Sequence, residues 1–375
     1  MMTVGLGVSI GTVNTVCAVE NGGGNRNGPP ATWRTTLTFD STGTARVGRI
    51  PKHGRAITDF ADLTQRGTPN ARVGHRALSA ADLVATVASS VLSDVLGAAP
   101  EPEHGITVTH PVGYPPQRVD DLREALDAVG LRHAVLAAEP IAATAWLEET
   151  CGPLMPGLAL VYDLGGSGLR VTLVRVGAGA PRNPVVGESL RSTDFGGRAF
   201  GAQMARRADW RSAETPHVAT DAVITERRTA HVRKSLDVVY ECLRVADVTM
   251  ADVDRVLVIG GAARPPEVAA VLAAALARPV IVAPDPERTV AEGAAILARR
   301  ASEAEHGGVG QRRAWWSGGT VRAASGRLLG RRLTRAVITA SVTAGAALFV
   351  ATAPAGDAVS VGAITNDACL IHLYG

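Results

Sequence analysis

The 375-residue sequence predicts an α/β protein of two lobes built to one plan. Three observations lead there. The chain exceeds the length at which a single hydrophobic core usually stops growing. Strand and helix patterns alternate, and an apolar run, a glycine turn and a second apolar run occur once in each half. Three glycine-centred segments follow in order: Gly7-Val8-Ser9-Ile10-Gly11-Thr12-Val13-Asn14, then Asp163-Leu164-Gly165-Gly166-Ser167-Gly168, then Gly260-Gly261-Ala262-Ala263-Arg264-Pro265. Glycine in such turns allows positive φ and a close approach of backbone N–H groups to an anion. Two of these hairpins, one from each half, can clamp a polyphosphate between them. The third runs from a strand (256–259) toward a helix, a place suited to the other end of a nucleotide.

The elements read as follows. Residues 3–8 and 16–19 are the first hairpin, and 20–35 is a loop rich in Gly, Asn and Pro. Apolar residues at Leu83, Val84, Val87, Val91, Leu92 and Val95 predict an amphipathic helix over 80–96. A strand at 106–109 closes at His110-Pro111, and a charged helix over 116–129 stops at Gly130. A strand at 134–138 leads through Glu139-Pro140 to a helix over 141–149. The second hairpin occupies 158–174. Helices follow at 200–208, 220–243, 268–276 and 289–299, with a strand at 280–282.

Composition narrows the functional classes. The chain is 46% hydrophobic and only 4% aromatic, so Val, Leu, Ala and Ile make its core. A formal charge of +3 gives no reason to expect nucleic acid as a partner. Cys17, Cys151, Cys242 and Cys369 lie far apart without metal-ligand spacing, which fits reduced, buried thiols. Residues 1–8 run straight into a strand without a secretory signal. After Arg300 the character changes. Seven arginines and no acid fall between His306 and Ala336, then eighteen uncharged residues run to Ala353. At helical rise these cover about 27 Å, near the thickness of a bilayer's hydrocarbon core. With basic residues before it and none after, the stretch is expected to be a single-pass transmembrane helix, its N-terminal body cytoplasmic. A buried C-terminal helix or an interfacial segment is the alternative. The expected organisation is lobe I at 1–150, lobe II at 151–300, a basic linker at 301–335, the membrane helix at 336–353 and a short tail at 354–375.

At these residues the chain resembles the nucleotide-binding domain of DnaK-type heat-shock chaperones, which have the actin-like ATPase (ribonuclease-H-like) fold. Residues 7–19 resemble that family's first phosphate loop, 161–171 its second and 256–265 its adenosine motif. Ile106-Thr107-Val108-Thr109-His110-Pro111, Ala138-Glu139-Pro140, Asp194-Phe195-Gly196-Gly197 and Val290-Ala291-Glu292-Gly293 also match. The resemblance covers about residues 1–300 and implies ATP/ADP with Mg²⁺. It implies that Gly11, Thr12, Val13, Asn14, Gly165, Gly166 and Ser167 hold the phosphates. Asp163 would anchor Mg²⁺ through water, and Gly260, Gly261 and Arg264 would take the adenosine end, with Arg233 and Lys234 over the base's other face. Glu139 would orient water, and Pro111 with Arg118 would relay nucleotide state between lobes. Taken singly, Arg264 is a solvated helix-start charge and Glu139 a helix-start acid favoured by the dipole.

The departures are equally specific. Ser9 stands where the family has an acid, and Gly168 and Arg170 where it has a threonine and an acid. The family's catalytic lysine aligns with His53, with Lys52 adjacent, so both are candidates. Shortened spacings imply trimmed distal subdomains. After Arg300 there is neither the family's interdomain linker nor its peptide-binding β-sandwich. Phosphoryl transfer depends on positioning and charge neutralisation, whereas a cradle of backbone amides survives side-chain loss. The expectation is a membrane-anchored, chaperone-family ATP-binding protein with slow or absent hydrolysis. Its partners would be adenine nucleotide, membrane lipid and an unknown protein. The alternatives are an actin-like membrane-tethered scaffold, a true ATPase or a small-molecule kinase of the same fold.

Overall fold

The computed structural model describes residues 4–21, 30–50, 56–65, 71–73, 76–100, 104–208 and 221–306. In chain order the strands are β1 (Val4–Ile10), β2 (Asn14–Asn21), β3 (Ala31–Arg34), β4 (Leu37–Phe39), β5 (Ala45–Val47), β6 (Ala71–Val73), β7 (Arg76–Leu78), β8 (Gly105–His110), β9 (Val135–Ala138), β10 (Gly157–Leu164), β11 (Leu169–Val176), β12 (Val185–Ser192), β13 (Arg255–Ile259) and β14 (Val280–Val282). The helices are α1 (Ala80–Leu96), α2 (Pro116–Ala128), α3 (Glu139–Cys151), α4 (Gly197–Ala208), α5 (Asp221–Val245), α6 (Pro266–Leu276) and α7 (Thr289–His306).

Two five-stranded sheets share one topology. The first has the order β3-β2-β1-β8-β9 and the second β12-β11-β10-β13-β14. In each, an antiparallel meander supplies three strands and two parallel strands extend the sheet. Parallel pairing requires crossovers, and helices between the strands supply them. The hairpins β1–β2 and β10–β11 occupy equivalent places, so the glycine turns at 11–13 and 165–168 are equivalent too.

Strand alternation explains how each sheet is covered. Leu6, Val8 and Ile10 turn to the core they share with Leu83, Val87, Val91 and Leu126 of α1 and α2. On the opposite face, β1 presents Gly5 and Gly7 to α7. A methyl group at Gly5 would stand 2.1 Å from Ala295 O, and one at Gly7 would stand 2.1 Å from Ala291 O. Neighbouring Val16 and Ala18 of β2 pack on Ala291 and Ala295. In the second sheet Leu160, Tyr162, Val256 and Val258 face α5 and α6. Val161, Leu257 and Ile259 face the layer that holds Trp146 of α3 and Ala294 of α7. Helices α3 and α7 therefore form a shared central layer, and Gly293 sets their approach: its added methyl would lie 1.8 Å from Ala142 O.

Local signals agree with this packing. Ser79 caps α1 in a reciprocal capping box with Asp82, and Gly97 ends it at φ 69°. Helix α3 starts at Glu139, two residues before the periodic run, because Pro140 in the first turn has no N–H to lose. Helix α7 continues to His306, beyond the expected end at 299, through ion pairs of Arg299 with Glu303 and of Arg299 and Arg300 with Glu149 of α3. Residues 31–34, expected as loop, form the edge strand β3.

One expectation is corrected. Among the described residues no helix is long and apolar enough to cross a membrane. The longest, α5, carries charged residues along its whole length. The stretch 336–353, expected as the membrane helix, lies outside the described residues, as do 307–335 and the tail 354–375. The architecture is a mixed α/β fold with multiple sheets, consistent with an actin-like ATPase fold, and among the described residues it holds no membrane-spanning helix. The expected single-pass membrane localisation does not stand.

Candidate functional site

The β1–β2 and β10–β11 turns open onto one cavity of about 660 Å³. Each turn closes on itself: Gly11 N–H donates to Asn14 O at 3.0 Å, and Gly165 N–H donates to Gly168 O at 2.9 Å. These two amides are therefore used internally. Those of Thr12, Val13, Gly166 and Ser167 meet no acceptor among the described residues. The turns also touch, since a methyl group at Gly166 would lie 2.3 Å from Val13 Cγ2.

Neighbouring segments hold each turn in place. Thr35 donates its hydroxyl to Gly11 O at 2.7 Å and its N–H to Val13 O at 2.8 Å. The stretch 196–198 braces the second turn, with Gly197 N–H on Gly165 O at 3.0 Å and Arg198 N–H on Gly166 O at 2.9 Å. The end of β12 accounts separately for the glycine at 168, where a methyl group would stand 2.5 Å from Ser192 O. Arg198 reaches across to Asp59 at 2.8 Å and to Thr12 O at 3.3 Å.

The third segment joins the same cavity. Gly260 has φ 94°, and any β-carbon there would collide with Leu164 O and Asp163 Oδ1. Arg264 bonds Asp285 Oδ1 at 3.0 Å and Glu287 Oε2 at 2.5 Å. Hydrogen bonds lie in the guanidinium plane and leave its faces free to stack. Glu287 also accepts from Asn14 Nδ2 at 2.5 Å, so one carboxylate ties the first turn to the third segment.

Charged side chains line the cavity floor. Arg170, paired across the hairpin with Asp163, donates to Glu139 Oε2 at 3.0 Å; the two side chains are only 16% and 14% exposed. Arg191 bonds Asp62 at 2.7 Å. Burial pushes the Glu139 carboxyl up to about 7 against the opposing pull of Arg170. Burial also raises Asp163, with Arg170 again opposing. At Asp62 burial is outweighed by hydrogen bonds from Thr64 and by the charge of Arg191, and its pKa is lowered.

For Mg²⁺, the donor set fits poorly. Of the carboxylates on the floor, Glu139 and Asp62 are each held by an arginine, leaving Asp163 alone. Among the described residues no cluster of three His, Cys, Asp or Glu side chains can hold a metal ion. At a nucleotide Mg²⁺ takes most of its ligands from water and phosphate and needs only one or two carboxylates, so the obstacle here is the guanidinium already seated on Glu139 and on Asp62.

Of the residues singled out in the sequence, Gly11, Thr12, Val13, Asn14, Glu139, Asp163, Gly165, Gly166, Ser167, Gly260, Gly261 and Arg264 all line this cavity. Arg233 and Lys234 do not. Helix α5 buries Val232, Ser235 and Leu236, which turns both basic residues outward. Arg233 instead borders a shallow groove with Thr229 and Glu267. Lys52 and His53 lie outside the described residues. Pro111 lines the cavity, whereas Arg118 pairs with Asp121 on the surface of α2. Thr35, Asp62, Arg191 and Glu287 went unnoticed in the sequence, where no motif marks them.

Taken together, the arrangement is a two-sheet α/β protein with a cleft lined by main-chain amides at two glycine turns. Comparison with known proteins gives a consistent picture. The family described as Hsp70 protein matches residues 219–306, from α5 to the end of α7. A protein named chaperone protein HscA homolog from Chromobacterium violaceum is 26% identical over 78% of this chain and 58% of its own length. Proteins of the same name from Shewanella baltica and Cupriavidus pinatubonensis are 24% and 26% identical, each over 52% of this chain and 37% of theirs. The chain thus spans between about a third and three-fifths of these relatives. These similarities support a relationship to the Hsp70-type chaperone family.

Proposed function

We propose that this chain is a chaperone-family module that binds adenine nucleotide, ATP or ADP, between its two sheets and hydrolyses it slowly or not at all. The observation that carries the reading is the pair of equivalent glycine turns on one cavity, with four amides free for phosphate oxygens. Backbone donors of this kind bind phosphate whatever the side chains beside them. Arg264, held edge-on by two acids, offers a face to the adenine. Slow turnover is supported by the floor chemistry: Glu139 is committed to Arg170 instead of a water, and Ser9 brings no negative charge.

Nucleotide would set the closure of the cleft. The Asp59–Arg198 and Asp62–Arg191 pairs already span from the first half of the chain to the second. A partner protein would read that closure. The test is titration of the full-length chain with a fluorescent ATP analogue, alongside phosphate release. Saturable binding displaced by ATP, with phosphate release far below ordinary ATPase rates, is expected. Release at ordinary rates favours a true ATPase. Absence of binding by folded protein rejects the nucleotide reading, and nucleotide-dependent sedimentation would favour the scaffold alternative.

A further inference from the structure

We infer that Arg170 supplies this cleft with the positive charge a divalent cation would otherwise bring, so that the chain takes nucleoside triphosphate without metal. The inference rests on the nucleotide reading and goes beyond it. Arg170 opens β11, directly across the hairpin from Asp163, and its guanidinium lies 3.0 Å from Glu139 Oε2. Both side chains line the cavity beside the two glycine turns. A cation ligated by Glu139 would have to displace this guanidinium or sit against it, and like charges at such distances repel strongly. Arg191 closes the same option at Asp62, 2.7 Å away.

The charge balance of the lining points the same way. Among the described residues that line the cavity, five are arginines (34, 170, 191, 198 and 264) and four are carboxylates (Asp62, Glu139, Asp163 and Glu287). Arg170, Arg191 and Arg198 are each paired with a single acid, and Arg264 is turned to the base end, so the charges around the phosphate turns are close to balanced. A lining dominated by carboxylates repels a triphosphate unless metal bridges the two, but this one does not need that bridge. Guanidinium groups bind phosphate oxygens in bidentate fashion and stay charged at every relevant pH. Metal-free ATP carries more negative charge than its Mg²⁺ complex, so a cleft with fixed cations holds it at least as well.

The experiment measures ATP affinity of the full-length chain at neutral pH, in excess Mg²⁺ and in EDTA. The wild type is expected to bind equally well or more tightly in EDTA. Arg170→Gln should weaken binding in EDTA roughly tenfold or more, the worth of a charge-assisted hydrogen bond, and Mg²⁺ should restore part of the loss. Arg170→Lys keeps the charge and should keep metal-independent binding. Wild-type affinity that falls about tenfold or more when Mg²⁺ is removed overturns the inference while leaving the nucleotide reading intact. No binding by folded wild type in either condition overturns both. The wild-type comparison decides the matter even if Arg170→Gln fails to fold.

Discussion

Glu139→Gln should change how the protein's stability depends on pH, and the direction can be worked from the structure. In the folded chain the carboxyl is pushed up to about 7 from an ordinary value of 4.5, burial outweighing Arg170. Below 4.5 it is protonated in folded and unfolded chains alike, and above 7 it is ionised in both. Between these values the folded state keeps a proton that the unfolded chain has released, so stability falls as pH rises. The displacement corresponds to about 3 kcal/mol lost across that window. Asp163, also raised by burial, acts with the same sign. His110 acts oppositely: burial lowers its pKa, so its contribution is present above 6.5 and is lost as pH falls below it. Asp59 and Asp62, both lowered, contribute stability that is lost only as pH falls below 3.8. The informative quantity is therefore the difference between wild type and variant. Glutamine keeps the shape and still accepts from Arg170. Urea denaturation between about pH 4.5 and 8 should show the wild type losing about 3 kcal/mol relative to Glu139→Gln as pH rises. Parallel curves for the two proteins would refute the reasoning.

Three further outcomes are expected. Gly293→Ala should lower stability by about 3 kcal/mol in urea denaturation, because the clash is with a main-chain carbonyl of α3 and not a side chain that can turn away. A variant as stable as the wild type would contradict the helix contact. Arg264→Ala should weaken ATP binding about tenfold and leave inorganic tripolyphosphate unaffected, since only the base stacks on the guanidinium; equal losses for both ligands would assign Arg264 to the phosphates. Cys17, buried and pushed up to about 12, should resist thiol reagents at neutral pH until the chain is unfolded. Mass mapping of modified peptides reads this directly, and rapid labelling of native Cys17 would count against its burial.

Much of the fold was legible because short-range chemistry decides it. The stripe in α1 gave both of its ends, which Ser79 and Gly97 then cap. The two hairpins could be read because glycine sits between β-branched runs. Edge strands were harder. β12 mixes glycine and charge in Val185–Ser192, most of it partly or fully exposed, so no clean alternation survives. The charged end of α7 resembles a linker until Glu149 of α3 is placed beside Arg299 and Arg300. The site divides along the same line. Main-chain donors at the glycine turns follow from their own sequence. Thr35 and Glu287 act on residues 24 and 273 positions away, and only the folded chain brings them there. Arg233 and Lys234 show the converse: a matching local motif whose helix face turns them out of the cavity.

The close seat of Gly168 against the end of β12 bears on how this cleft can change over time. A single substitution of Gly168 by threonine does not fit the present backbone. Its β-carbon would land on the Ser192 carbonyl, and that strand end leads into the segment that clamps the second turn. Placing a hydroxyl side chain there requires the main chain of a neighbour to move as well.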